Sequence, residues 1–151
     1  MLPELTLGSL MILATTVIHG IFTAAGIAYL TKKFNDWGRI TSDWKASVVL
    51  SFFVLWLFLA TVLEVWTWSI LYVVIGALDD FETALYFSTV TFTTLGYGDI
   101  VLEKDWRLLA SFEAANGLFL FGWSTALVFA VVQWVFDLRD RESSTPKKDG
   151  D

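Results

Sequence analysis

Long apolar runs separated by short polar intervals set the pattern of this chain. Residues 5–30 are apolar, built from Thr, Ala, Gly and Ile, with His19 as their one titratable group. Residues 46–77 form a second run with a single charge, Glu64, and residues 106–136 a third that contains Glu113, Gly117 and Gly122. Each run exceeds the roughly 20 residues a helix needs to cross a bilayer, so the pattern predicts three transmembrane helices. The second run is longer than a perpendicular crossing requires, which predicts tilt or an extension beyond the bilayer. Residues 80–92 read differently. Asp79-Asp80-Phe81-Glu82 opens a helix, because an Asp with a Glu three positions on resembles a capping box and acids suit the positive helix end. The apolar stretch that follows is only about three turns long, too short to span. Residues 32–45 read as a polar loop with Trp37 and Trp44 at headgroup depth. Residues 137–151 read as a polar tail, disordered beyond its first turns. Gly20, Ala24, Ala25 and Gly26 on the first helix are expected to admit a neighbouring helix closely. Trp56, Trp66 and Trp68 read as lipid-facing or packing residues.

Composition strengthens the membrane assignment. The 151 residues are 56% hydrophobic, against about 45–50% in ordinary soluble domains. The mean hydropathy is +0.61. The absence of cysteine excludes a disulfide framework and thiolate metal sites. The net charge of −6 argues against nucleic acid as a partner. No Lys or Arg precedes the first apolar run, so it reads as a retained helix rather than a signal peptide. Lys32, Lys33, Arg39 and Lys45 lie in the first loop and Arg139, Arg141, Lys147 and Lys148 in the tail. With three crossings the loop and the tail share one side, which the positive-inside rule makes cytoplasmic. The N-terminus is then outside. So are Asp79, Asp80, Glu82, Asp99, Glu103 and Asp105, an acidic face that raises the local cation concentration. The expected location is a plasma membrane or a bacterial inner membrane.

Between the short helix and the third run stands Thr93-Thr94-Leu95-Gly96-Tyr97-Gly98-Asp99. On its own, Gly-Tyr-Gly is as compatible with a turn as with anything else. At membrane depth, however, non-helical backbone is tolerated only when it is buried in protein or lines water. A backbone that points successive carbonyls the same way must visit regions cheap only for glycine. That is the chemistry of a carbonyl cage for a dehydrated cation.

The run from Ala84-Leu85-Tyr86-Phe87-Ser88 through Thr93-Thr94-Leu95-Gly96-Tyr97-Gly98-Asp99 resembles the pore domain of tetrameric potassium channels. The likeness continues through Trp106-Arg107, Gly117 and Phe121-Gly122, and it covers about the C-terminal two-thirds of the chain. It implies an all-α membrane protein: three transmembrane helices, a re-entrant pore helix and a selectivity filter, assembled as a homotetramer. The implied divisions are an N-terminal helix (1–31), a cytoplasmic loop (32–45), a pore domain (46–136) and a tail (137–151). Within the pore domain they are an outer helix (46–77), a pore helix (80–92), a filter (93–99) and an inner helix (106–136). The resemblance implies that Thr94, Leu95, Gly96, Tyr97 and Gly98 form the K+-binding filter, with the Thr94 hydroxyl at its innermost site. Thr93 and Asp99 support it, and the Tyr97 ring braces the strand against the short helix. Leu118, Phe121, Thr125 and Phe129 match cavity-facing positions, with Phe129 a candidate constriction. Gly117 and Gly122 are candidate hinges, with close packing on the pore helix the rival role for Gly117. The chain departs from the family pattern in three places. Leu95 stands where Val or Ile is usual, and Val90 where some relatives carry a glutamate. Tyr86-Phe87 replaces a frequent Trp pair, and Phe87 has no donor for Asp99.

His19, Glu64 and Glu113 are titratable groups inside apolar segments and therefore candidate functional, pH-sensitive groups. Glu64 either pairs with His19 across the first two helices or is simply protonated, and structural hydrogen bonding is the rival to proton sensing for these groups. Glu113, off the cavity face with Asn116, is expected to touch the pore helix or filter. The resulting expectation is a passive potassium channel that is not an enzyme and needs no cofactor beyond the permeant ion, with lipid, monovalent cations and its own copies as partners. The alternatives are a weakly selective cation channel, a proton-coupled transporter and a non-conducting membrane subunit.

Overall fold

The computed structural model describes residues 2–37 and 43–143. Four helices occur among the described residues, and no strand. Helix α1 spans Leu2–Trp37, α2 Asp43–Val74, α3 Phe81–Phe92 and α4 Arg107–Ser143. Three of them, α1, α2 and α4, are long and apolar enough to cross a membrane. The chain is an all-α integral membrane protein, as its apolar pattern predicts.

Helices α1 and α4 outrun the expected bounds, while α2 both begins and ends three residues earlier than expected. At 1.5 Å per residue, the 36 residues of α1 reach about 54 Å, well beyond a hydrocarbon core of about 30 Å. Helix α1 continues through Asp36 and α4 through Arg139. Polar residues at a helix end do not stop it once a neighbouring helix has nucleated the turns before them. The first seven residues of the tail, 137–143, are helical, in line with order in its first turns. Residues 38–42, with Arg39, and 144–151, with Lys147 and Lys148, lie outside the described residues.

Two apolar clusters hold the bundle. At one end Trp68, Tyr72, Ala84, Phe87, Phe92, Leu102, Leu109 and Leu120 enclose α3 between α2 and α4. At the other, Leu30, Val49, Phe53, Leu57, Val131 and Val135 close α1, α2 and α4 on one another. Helix α3 touches α2 and α4 but not α1. It is thus a short wedge inserted from one end of a three-helix frame. Of the small residues expected to admit a helix, Gly26 does so: a Cβ there would lie 3.0 Å from the rings of both Phe53 and Trp56. Gly20 meets nothing within 4 Å. The tryptophans divide: Trp66 is exposed, Trp68 is fully buried, and Trp56 donates its indole N–H to the Phe22 carbonyl of α1 at 2.8 Å.

Candidate functional site: the turn after the short helix

Helix α3 starts at a cap one residue later than the Asp79–Glu82 spacing suggests. Asp80, in extended backbone, accepts from the Thr83 amide at 2.9 Å and the Thr83 hydroxyl at 2.7 Å. Those bonds, the backbone one foremost, hold the Asp80 carboxyl below the usual carboxylate range. Thr83 rather than Glu82 occupies the third helical position, so the reciprocal box does not form.

The other end of α3 builds the site. The Thr94 amide donates to Thr91 O at 2.9 Å and the Leu95 amide to Val90 O at 2.9 Å, the paired bonds of a Schellman cap. Such a cap needs a left-handed residue, usually glycine. Here it is Thr94, with φ +59°, the one non-glycine residue of positive φ among those described. That conformation costs an L-residue roughly 1–2 kcal/mol. The Gly96 amide follows with a bond to Val90 O at 3.2 Å. Gly96 and Gly98 take φ +56° and +76°. Every second residue of 94–98 is therefore left-handed, while Leu95 and Tyr97 are not. An ordinary strand throws successive groups to opposite sides; alternating the hand brings like groups to a common edge. The amides of 94–96 turn back to α3, and the carbonyls of 94–98 accept no hydrogen bond among the described residues. Residues 93–99 lie on an open face of the chain. The negative end of the α3 dipole points into the same turn.

Side chains around the turn are placed as follows. Thr93 turns its hydroxyl back to Thr89 O at 2.7 Å. The Tyr97 ring is two-thirds exposed. Asp99 accepts from the Tyr86 hydroxyl at 2.6 Å. The first aromatic of the Tyr86-Phe87 pair thus supplies the donor that Phe87 lacks. This bond lowers the Asp99 carboxyl below its ordinary range and raises the Tyr86 phenol above its own. Behind the turn a cavity of about 330 Å³ runs between Tyr86, Thr91 and Gly96 on one side and Ala110, Ser111 and Ala114 of α4 on the other. Gly117 of α4 lies directly on the last turn of α3: a Cβ there would overlap Phe92 O and sit 2.9 Å from its carbonyl carbon.

A short helix, a turn whose carbonyls accept no hydrogen bond among the described residues and a long glycine-bearing helix follow one another along the chain. The family model described as "Ion channel" matches residues 51–133, more than half of the chain. The chain belongs to this ion-channel family. No curated protein and no solved structure matches it. The matched region takes in most of α2, all of α3 and the turn, and α4 as far as Gln133; α1 lies outside it.

The channel's three intramembrane titratable groups all bridge helices. His19 Nδ1 lies 2.9 Å from Glu64 Oε1, the pairing anticipated from sequence, and both side chains are fully buried. His19 Nε2 meets Ser124 Oγ of α4 at 3.2 Å, and Trp123 lies beside the imidazole. Glu113 Oε2 accepts from the Tyr72 hydroxyl of α2 at 2.6 Å, and Glu113 Oε1 contacts Ser88 Oγ of α3. Asn116 donates to Thr15 of α1 at 2.7 Å. Tyr72, Ser88, Ser124 and Thr15 were not singled out in the sequence, since a lone hydroxyl in an apolar helix as often bonds its own backbone.

The candidate cavity residues divide by environment. Leu118 and Phe129 are exposed on α4. Phe121 packs edge-on against Phe92 at 5.8 Å. Phe121 and Thr125 also line an apolar groove facing Val54, Phe58 and Thr61 of α2. Helix α4 is continuous through both Gly117 and Gly122, and a Cβ at Gly122 would meet nothing within 4 Å beyond the local helix backbone.

Proposed function

We propose that the chain is one quarter of a homotetrameric, potassium-selective channel that conducts K+ passively. The observation that carries the reading is the alternation of hand at Thr94, Gly96 and Gly98, with the intervening carbonyls left without partners. Unpaired polar groups in a membrane protein are costly unless water or an ion meets them. One chain supplies one wall; four, arranged about an axis along the open face of 93–99, enclose a column of carbonyls able to replace the hydration shell of K+. Thr94 to Gly98 bind the ion, Thr93 and Asp99 support the turn, and α4 lines the cavity through Leu118, Phe121, Thr125 and Phe129. The loop between α1 and α2 and the C-terminus face the cytoplasm, by the distribution of Lys and Arg.

Ion flux into proteoliposomes tests this reading. Purified protein is expected to pass K+ far better than Na+, without a proton gradient. Gly96→Ala, which puts a Cβ on a residue of φ +56°, is expected to abolish the flux. Absence of K+ flux in the wild type, or full flux in the variant, refutes the assignment. Equal Na+ and K+ flux reduces it to an unselective cation channel.

A further inference from the structure

Behind the turn, three oxygen atoms and a carboxyl group form a continuous chain across three helices. Tyr72 Oη lies 2.6 Å from Glu113 Oε2, Glu113 Oε1 contacts Ser88 Oγ, and Ser88 Oγ lies 3.0 Å from Val65 O. Glu113, Ser88 and Tyr72 are all fully buried. Each link needs one proton. Tyr72 and Ser88 supply one apiece, and the Val65 carbonyl supplies none. Two hydroxyl protons cannot make three links; the third belongs to Glu113. The rival arrangement leaves Glu113 ionised with Ser88 turned wholly toward it, because Val65 O also receives the Ser69 hydroxyl at 2.8 Å. That would set an ionised carboxylate in the membrane with two neutral donors and, among the described residues, no cation against it. Helix α2 faces it with Tyr72, and Glu64 stands two turns away. Helix α3 faces it with Ser88, and its titratable residues are Glu82 and Tyr86. Residues 5–18 of α1 contain no titratable group. On α4 itself the nearest cation in sequence, Arg107, lies six residues earlier and lines the cavity behind the turn.

We propose that Glu113 is a neutral carboxylic acid whose proton completes a hydrogen-bond relay from Tyr72 to the Val65 carbonyl, and that this relay positions α3 so that ion selectivity depends on the proton. The path to the ion is short. Ser88 stands two residues before Val90, and Val90 O receives both the Leu95 and the Gly96 amides. Glu113 touches no ion; it fixes the helix whose last carbonyls hold the turn in register. The inference deepens the channel reading and rests on it.

Glu113→Gln separates the two protonation states. The glutamine carbonyl accepts from Tyr72 and its amide donates to Ser88, leaving Ser88 free to donate to Val65. All three links survive without a titratable proton. The K+/Na+ flux ratio in proteoliposomes, followed from neutral to alkaline pH, is expected to fall in the wild type as Glu113 loses its proton. In E113Q it is expected to hold at the neutral wild-type value throughout. Ser88→Ala, which cuts the relay at α3, is expected to hold the ratio at every pH roughly five-fold below the neutral wild-type value, about one hydrogen bond. Loss of selectivity in E113Q equal to that in S88A overturns the neutral acid. Unchanged ratios in both variants with lowered thermal stability overturn the positioning role. Infrared difference spectra of wild type against E113Q read the proton directly. A protonated-carboxyl stretch that vanishes in E113Q supports the relay, and its absence refutes it, whether or not the protein conducts. A wild type that shows the band but no K+ flux sinks the channel reading alone.

Discussion

Gly117→Ala sets helix propensity against close packing, and the structure decides the sign. In the interior of α4, alanine is better than glycine by about 1 kcal/mol. Against that, the new methyl would overlap Phe92 O and stand 2.9 Å from Phe92 C and 3.0 Å from its Cδ1. Carbon atoms pack comfortably at about 3.5–4.0 Å, so α4 must back away from α3 by more than half an ångström. Neither partner yields easily, because the clashing atoms belong to backbone and Phe92 is fully buried. Overpacking of this kind costs roughly 1–3 kcal/mol, occasionally more. The net expectation is a loss of up to about 2 kcal/mol per chain, felt at the turn where Thr93 and Thr94 begin. Gly122→Ala is the matched comparison, since a Cβ there would meet nothing within 4 Å beyond the local helix backbone and the propensity gain is unopposed. Thermal unfolding in detergent and K+ flux in liposomes should both fall for G117A, while G122A unfolds no lower than wild type. A G117A protein as stable and as conductive as wild type would refute close packing on Phe92 and return Gly117 to a hinge or to no special role.

Three further outcomes are expected. Tyr86→Phe removes the donor that depresses the Asp99 carboxyl. A depressed carboxyl adds stability above its unfolded value, about 3.9 for Asp, and loses it as pH falls through the folded value. Acid inactivation of K+ flux should therefore begin at higher pH in Y86F than in wild type; identical profiles would remove Asp99 from filter support. His19→Ala strands the buried Glu64 and should cost roughly 3–5 kcal/mol, with part recovered when Glu64 is also made Leu. Unfolding of the single and double variants reads both. Thr94→Gly relieves a left-handed threonine, so stability should hold or rise by about 1 kcal/mol, while loss of the hydroxyl lowers single-channel conductance. Unchanged conductance would make Thr94 only a helix cap.

Much of the architecture could be read from residue order, and the failures share a cause. The three crossings followed from run length, and the short helix from its acidic start and its abrupt end at Thr93-Thr94. Which face of each long helix is buried could not be read, because lipid tails are as apolar as the core and the helices carry little contrast between faces. That is why Gly20 and Gly26 looked alike, and why Ser124 and Ser88 passed unnoticed beside other hydroxyls. His19, Glu64 and Glu113 stood out because a charge in an apolar run is rare enough to demand a partner. Phe87 has no donor for Asp99, and Tyr86 takes that place because the preceding aromatic also reaches the turn once α3 is seated.

Helix α1 falls outside the matched channel segment, yet it meets Asn116 through Thr15, and Glu64 and Ser124 through His19. Stripped of α1, the matched part would present a carboxylate, an amide and a hydroxyl to hydrocarbon. The chain cannot be pared to a bare pore. Order of synthesis gives the same feature a second meaning. Helix α1 enters the membrane before α2, so His19 is already in place when Glu64 arrives. The first hairpin carries its own neutralising partner, and the acid need never cross the bilayer alone.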